Sequence, residues 1–104
     1  MQGEVWWANL PPPNRRRPVL VLTRSRAIAT LTNVTVAPLT RTIRGIPSEV
    51  PLSQGDGLPT ACAISLENIL TVPKSLLDAR IAALTPDKMR AVFEAIRYVF
   101  QMVT

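Results

Sequence analysis

Arg15-Arg16-Arg17-Pro18-Val19-Leu20-Val21-Leu22-Thr23-Arg24 is the stretch whose reading decides the fold. Three guanidinium groups run into a proline and then into four consecutive apolar residues, so a cationic loop is joined to the start of a buried strand. Proline holds its own φ and drives the preceding residue towards extended backbone, which leaves Arg17 with fewer conformations than Arg15 or Arg16. Val19 to Leu22 is too uniformly apolar for a strand with one wet face. It predicts a strand in the middle of a small closed sheet or barrel, covered on both sides.

Outward from that strand, Glu4 to Leu10 reads as another, rich in β-formers and closed by Pro11, Pro12 and Pro13. Trp6 and Trp7 are adjacent, so in a strand their rings point to opposite faces. One is expected to fill the core, and the other either meets a partner, a subunit or a base, or stays partly exposed. Arg24 to Thr30 is polar and breaks the sheet. In Leu31 to Thr40, Val34 and Val36 alternate with Asn33, Thr35 and Ala37, which predicts a third strand, placed at an edge or a bulge by Pro38.

A second basic turn, Arg41 to Gly45, follows, with Gly45 free to take positive φ. Glu49 to Leu52 reads as a short strand, Gln54 to Leu58 as a turn, and Thr60 to Leu66 as a strand with Glu67, Asn68 and Thr71 at its end. Leu76 to Leu84 has helical composition but no clear period, and predicts a turn and a short strand near Arg80 to Ala83. Thr85-Pro86-Asp87 starts a helix with a hydroxyl N-cap, proline at the first position and an early acid. Met89, Val92, Phe93, Ile96, Phe100 and Val103 are expected to form its core-facing stripe. Strands every eight to twelve residues with turns between them predict an α+β protein, mainly β: one domain over residues 1–104, a small antiparallel barrel closed by a C-terminal helix.

Composition narrows the function. Twelve Lys and Arg against seven Asp and Glu give a net charge of +5, which favours polyanionic partners such as nucleic acid or an acidic protein. The chain contains no histidine, which removes the commonest general base, the commonest metal ligand and every His-dependent triad. Any chemistry must run on arginine, carboxylates, hydroxyls or lysine, and neither metal nor cofactor is expected. Cys62, the single cysteine, lies in an apolar run and reads as a buried, inert thiol in a reducing, cytoplasmic setting. No run approaches the ~20 apolar residues of a membrane span.

Taken in order, Gly3-Glu4-Val5-Trp6, Arg17-Pro18-Val19-Leu20-Val21, Val36-Ala37-Pro38-Leu39-Thr40, Arg44-Gly45, Glu49-Val50-Pro51-Leu52 and Glu67-Asn68 resemble the MazF/PemK family of toxin endoribonucleases. The resemblance covers nearly the whole chain. It implies an SH3-like barrel with a C-terminal helix, a homodimer, and sequence-specific, metal-independent cleavage of single-stranded RNA: messenger RNA, with transfer or ribosomal RNA as other targets. It also implies an antitoxin whose acidic, extended tail occupies the RNA groove.

The catalytic pair that the resemblance implies is Arg17 and Thr40. Attack of a ribose 2′-hydroxyl on its own phosphate builds charge on equatorial oxygens, and a planar, permanently charged fork suits that charge. Thr40 would hydrogen-bond a non-bridging oxygen, or else cap nearby backbone at the strand end. Arg15, Arg16, Arg24, Arg41 and Arg44 are candidates for the RNA-backbone track, with solvated loop charge as the other reading of each. Glu67 and Asn68 match positions that in relatives read bases or contribute to the site. Glu4 is either a carboxylate near the site or an edge-strand charge.

The link of Pro11, Pro12, Pro13 and Asn14 is shorter than in many relatives, so the general base stays unassigned. Where some relatives carry Arg and Asp, this chain has Ser65 and Glu67. A non-catalytic nucleic-acid-binding or peptide-binding barrel would share the same charge and aromatic pattern.

Overall fold

The computed structural model describes residues 1–13 and 15–101, and within it the Val-Leu-Val stretch is buried on both sides. Seven strands, β1 (Glu4–Asn9), β2 (Arg16–Val21), β3 (Asn33–Thr40), β4 (Glu49–Leu52), β5 (Cys62–Ser65), β6 (Leu70–Pro73) and β7 (Leu77–Ala83), form one antiparallel sheet in the order β4-β5-β3-β2-β1-β7, with β6 also on β3. Two helices, α1 (Ser25–Ile28) and α2 (Pro86–Phe100), complete the fold, together with 3₁₀ turns at Gln54–Asp56, Leu66–Asn68 and Lys74–Leu76.

Alternation along β2 sends its side chains into two cores. Leu20 packs with Val5, Ala37, Ile64 and, from α2, Val92 and Ala95. Val19 and Val21 pack with Ala8, Val34, Val36 and Val72 on the other face. A strand with no wet face needs such double cover.

The ladders end on β4 and β7, so the sheet rolls up without a backbone pairing between those two strands. Side chains complete the roll: Leu52 and Leu58 share the first core with Ala82 of β7. Gly57 takes φ +94 there, and a Cβ on it would lie 3.0 Å from the Ala82 Cβ. Gly45 also has positive φ, as its turn requires.

Pro38 departs from the sequence expectation, because β3 is central. On one side β3 pairs with β2, and on the other with β6 over Asn33–Val36 and with β5 over Leu39–Thr40. Thr35 turns both its N–H and its C=O towards the β2 side, to Thr23 Oγ1 and the Leu22 N–H. By alternation the missing N–H of Pro38 faces the opposite side, at the seam where β6 hands over to β5. Proline is tolerated in a central strand because the ladder is already interrupted there.

Other elements also differ from expectation. After β5 the chain makes a 3₁₀ turn and runs on along β3 as β6, so Thr71 belongs to a separate strand paired with Thr35. The seven residues of β7 replace the four expected, and Arg24 to Thr30 holds the single turn of α1. Neither tryptophan is fully buried, and Val5 and Ala8 take the core positions of β1.

α2 begins as its sequence requires, with Thr85 Oγ1 accepting from the Lys88 N–H at 3.2 Å and Pro86 in the first turn. Its inner face is Met89, Val92, Ala95, Ile96 and Val99. Phe93 and Phe100 are 41% and 61% exposed, so they lie off the stripe, and Val103 falls outside the described residues. No helix among the described residues is long and apolar enough to cross a membrane.

Candidate active site

Arg17 is placed by the β1–β2 hairpin, where it pairs across from Ala8 and the Leu10 N–H closes the turn on the Arg15 carbonyl at 3.0 Å. The β2–β3 ladder pairs Val19 with Pro38. Continued by two residues, that register sets Arg17 opposite Thr40. Both side chains line a polar cleft of about 470 Å³ with Thr42, Arg44, Glu49, Ser65, Glu67 and Asn68. Both also line a second cleft of about 420 Å³, walled by Trp7, Pro18, Leu39, Leu58 and Pro59, with Arg16 and Arg41 at its rim. The two clefts therefore meet at Arg17 and Thr40.

Arg17 Nε is buried without a hydrogen-bond partner among the described residues. A buried N–H left unpaired costs roughly 1–3 kcal/mol, more on a charged group, and marks a position kept for something other than stability. Thr40 Oγ1 accepts from the Thr42 N–H at 3.1 Å, so the hydroxyl hydrogen remains available to a ligand.

The floor of the polar cleft is set by the β4–β5 register, which pairs Glu49 with Ser65. Glu49 Oε1 accepts from the Arg44 N–H at 2.9 Å and tethers the basic loop to the strand. Asn68 Nδ2 donates to Ser65 Oγ at 2.8 Å, which orients the amide. Among the described residues Glu67 makes no ion pair or side-chain hydrogen bond. Glu49, Ser65 and Thr42 were not singled out as site residues from sequence. A Glu beginning one strand opposite a Ser ending the next was the available signal.

The structure thus brings Arg17, Thr40, Arg44, Glu67 and Asn68 to one cleft and Arg16 and Arg41 to the adjoining one. Arg16 is not a loose backbone contact. It pairs with Asp78, donates to Asn9 Oδ1 at 3.1 Å and lies over the Trp7 ring at 5.0 Å. Arg15, Arg24 and Glu4 line neither cleft. Arg15 sits exposed in the hairpin turn at φ 58, and Arg24 lies beyond the far end of β2. Glu4 is at that same far end, roughly 13 Å along the ribbon from Arg17 at strand spacing. There it binds the N-terminal ammonium at 2.8 Å, the Trp6 indole N–H at 3.1 Å and Arg80 at 3.0 Å. The ammonium contact first, then Trp6 and Arg80, holds its carboxyl below the usual range against opposing burial. Cys62 is buried, and burial pushes its thiol up, with Asp56 adding to the effect.

This arrangement agrees with what the chain is similar to. Residues 1–100 match the model of the PemK-like, MazF-like toxin of type II toxin-antitoxin systems. A probable endoribonuclease, MazF5 of Mycobacterium tuberculosis, is 42% identical over 96 residues, covering 91% of this chain and 87% of the relative. The solved structure of the Mycobacterium tuberculosis toxin MazF-mt6 superimposes with a TM-score of 0.90 at 38% identity, over 97% of this chain and 99% of that one. A mycobacterial endoribonuclease solved in complex with its cognate antitoxin shares the fold at 22% identity, with a TM-score of 0.87 over 100% of this chain and 97% of that one. With the match running through every strand and into α2, the chain belongs to the PemK-like, MazF-like toxin family of type II toxin-antitoxin systems.

Proposed function

We propose that this toxin is a cytoplasmic, sequence-specific endoribonuclease that cuts single-stranded RNA without a metal and is held in check by an acidic antitoxin. The observation that carries this reading is the seam between the clefts, where a half-buried arginine with an unpartnered Nε shares both walls with a hydroxyl that has a hydrogen to give.

With a phosphodiester at that seam, the neighbouring 2′-oxygen attacks phosphorus, the P–O2′ bond forms and the P–O5′ bond breaks. The 2′-proton passes to a base and the departing 5′-oxygen takes up a proton, leaving a cyclic phosphate and a 5′-hydroxyl. Charge grows on the non-bridging oxygens, where the Arg17 guanidinium and the Thr40 O–H donate to it. Arginine cannot be deprotonated in a protein, so Arg17 serves as stabiliser and not as base. The polar cleft offers two carboxylates for the 2′-proton: Glu49, with one oxygen on the Arg44 N–H, and Glu67, free of such contacts among the described residues.

Arg41, Arg44 and the guanidinium of Arg16 give the rim its positive field, which draws in the RNA backbone and equally an acidic antitoxin segment. A homodimer is part of the same reading, with Phe93, Tyr98 and Phe100 on α2 exposed as apolar surface.

The purified protein is expected to cut a mixed pool of single-stranded RNA in EDTA and to leave the matching DNA whole, since DNA lacks the attacking hydroxyl. Equal cutting of both, or of neither, would remove the reading.

A further inference from the structure

The second cleft differs in kind from the polar one. Its wall is Trp7, Leu58 and Pro59, with guanidinium groups and threonine hydroxyls at the rim, and among the described residues it has no lining carboxylate or side-chain amide. The carboxylate and the side-chain amide best placed to read base edges, Glu67 and Asn68, lie on the polar side. A phosphate held at Arg17 and Thr40 sends its two flanking nucleosides in opposite directions, one towards each cleft.

We propose that the Trp7 cleft is a base-stacking subsite, which takes the unpaired base on one side of the scissile phosphate with little regard to its identity, while the polar cleft selects the base on the other side. This rests on the endoribonuclease reading and adds a division of labour to it. Every base has a π-face, so an aromatic platform binds without discriminating. Selection is sharpest where a carboxylate and an amide present paired acceptors and donors to the base edge, and those groups, Glu67 and Asn68, lie across the seam.

The Trp7 platform is held in place before RNA arrives. Arg16 lies over the ring at 5.0 Å and is itself tied to Asn9 and Asp78, so the ring and the guanidinium form a stack that an incoming base extends. At about 420 Å³ the cleft falls in the range of small-ligand sites, roughly 300–1,000 Å³. Its charge suits a nucleotide: Arg17 and Arg41 border it, and Arg16, though paired with Asp78, adds a guanidinium plane over Trp7.

The test is binding of short oligoribonucleotides spanning the mapped cut. Each carries a 2′-deoxy sugar at the attacking position to block cleavage, with the base on either side replaced in turn by an abasic sugar. For the parent protein, removing the stacked base should weaken binding roughly 5- to 150-fold, whereas exchanging it among the four bases should change affinity far less. Trp7→Ala should weaken binding of the intact oligonucleotide by a similar factor and abolish the effect of that one abasic position. Trp7→Phe should keep most of the affinity, and Trp7→Leu, which retains apolar volume, stands in where Trp7→Ala fails to fold and should show the same loss of affinity and of the abasic effect.

Equal loss for intact and abasic oligonucleotides, or no loss at all, would overturn the subsite. Weakened self-association or antitoxin binding with RNA affinity unchanged would overturn it too, and give the cleft to a protein contact. A parent protein that binds and cuts no RNA would bring down the endoribonuclease reading and the subsite together. A subsite failure beside normal cutting would leave that reading standing.

Discussion

Thr40 Oγ1 accepts a 3.1 Å hydrogen bond from the Thr42 backbone N–H, so the strand-end role and the phosphate role of this hydroxyl coexist. Acceptance from Thr42 turns the oxygen's lone pair towards the loop and leaves its hydrogen for the cleft. Thr40→Ser should therefore retain most cleavage. Thr40→Val, with the same shape but no hydroxyl, should lose about tenfold or more in kcat, the scale of one hydrogen bond to developing charge. Single-turnover rates on a mapped substrate check this. Equal rates for the Val and Ser variants would assign Thr40 to packing alone.

Arg17 sets activity against stability. Its Nε is buried and has no partner among the described residues, so replacing the side chain removes an unsatisfied polar group. Arg17→Met should leave the melting temperature unchanged or raised, while cleavage falls on the order of 10²- to 10³-fold, as for loss of one preorganised donor to developing charge. Arg17→Lys should not rescue it, because an ammonium cannot reproduce a planar fork. A large drop in melting temperature would mean that Arg17 is structural.

Much of this site was legible in the residues around Pro18 and less so elsewhere. Val19 to Val21 and Arg17 followed from backbone restriction and uniform apolarity, which are local properties. The Thr85 cap of α2 was local as well. Pro38 misled because a proline reports a missing donor, and only the change of partner strand shows that no donor was needed there. β6 and the first three residues of β7 escaped because the 3₁₀ turns before them, Leu66–Asn68 and Lys74–Leu76, carry neither glycine nor proline. Glu4 and Arg24 were candidates on charge alone, and a sequence does not say which end of a strand meets the cleft. Glu49 and Ser65 became neighbours only through the β4–β5 register.

Glu4 lies outside both clefts, where its ion pairs tie it to the acid stability of the fold. Its carboxyl is held low, first by the N-terminal ammonium and then by Trp6 and Arg80. A depressed folded-state value means that these contacts contribute fully above the unfolded glutamate value of about 4.3, and that the contribution drains away as pH falls through the lower folded one. Glu4→Gln should flatten the loss of stability below about pH 4.3, with cleavage at neutral pH unchanged. Denaturant melts at several pH values, run beside the nuclease assay, test both halves. A Glu4→Gln protein that cuts RNA poorly at neutral pH would return this carboxylate to the site.

Gly57 and Ala82 close the roll where the ladders do not. Gly57 has φ +94, and an added Cβ would press to 3.0 Å on Ala82, a buried residue whose backbone is held in β7. Gly57→Ala should cost about 1–3 kcal/mol from the left-handed backbone and more from the clash. Gly45 is the control, since it has φ +67 and nothing within 4 Å of the added carbon. Gly45→Ala should carry the backbone strain alone. Both variants read out as melting temperature, at roughly 4–8 °C per kcal/mol for a domain near this size. A larger drop for Gly57→Ala than for Gly45→Ala measures the packing that holds the two edge strands together. Equal drops would show that the first core is sealed elsewhere.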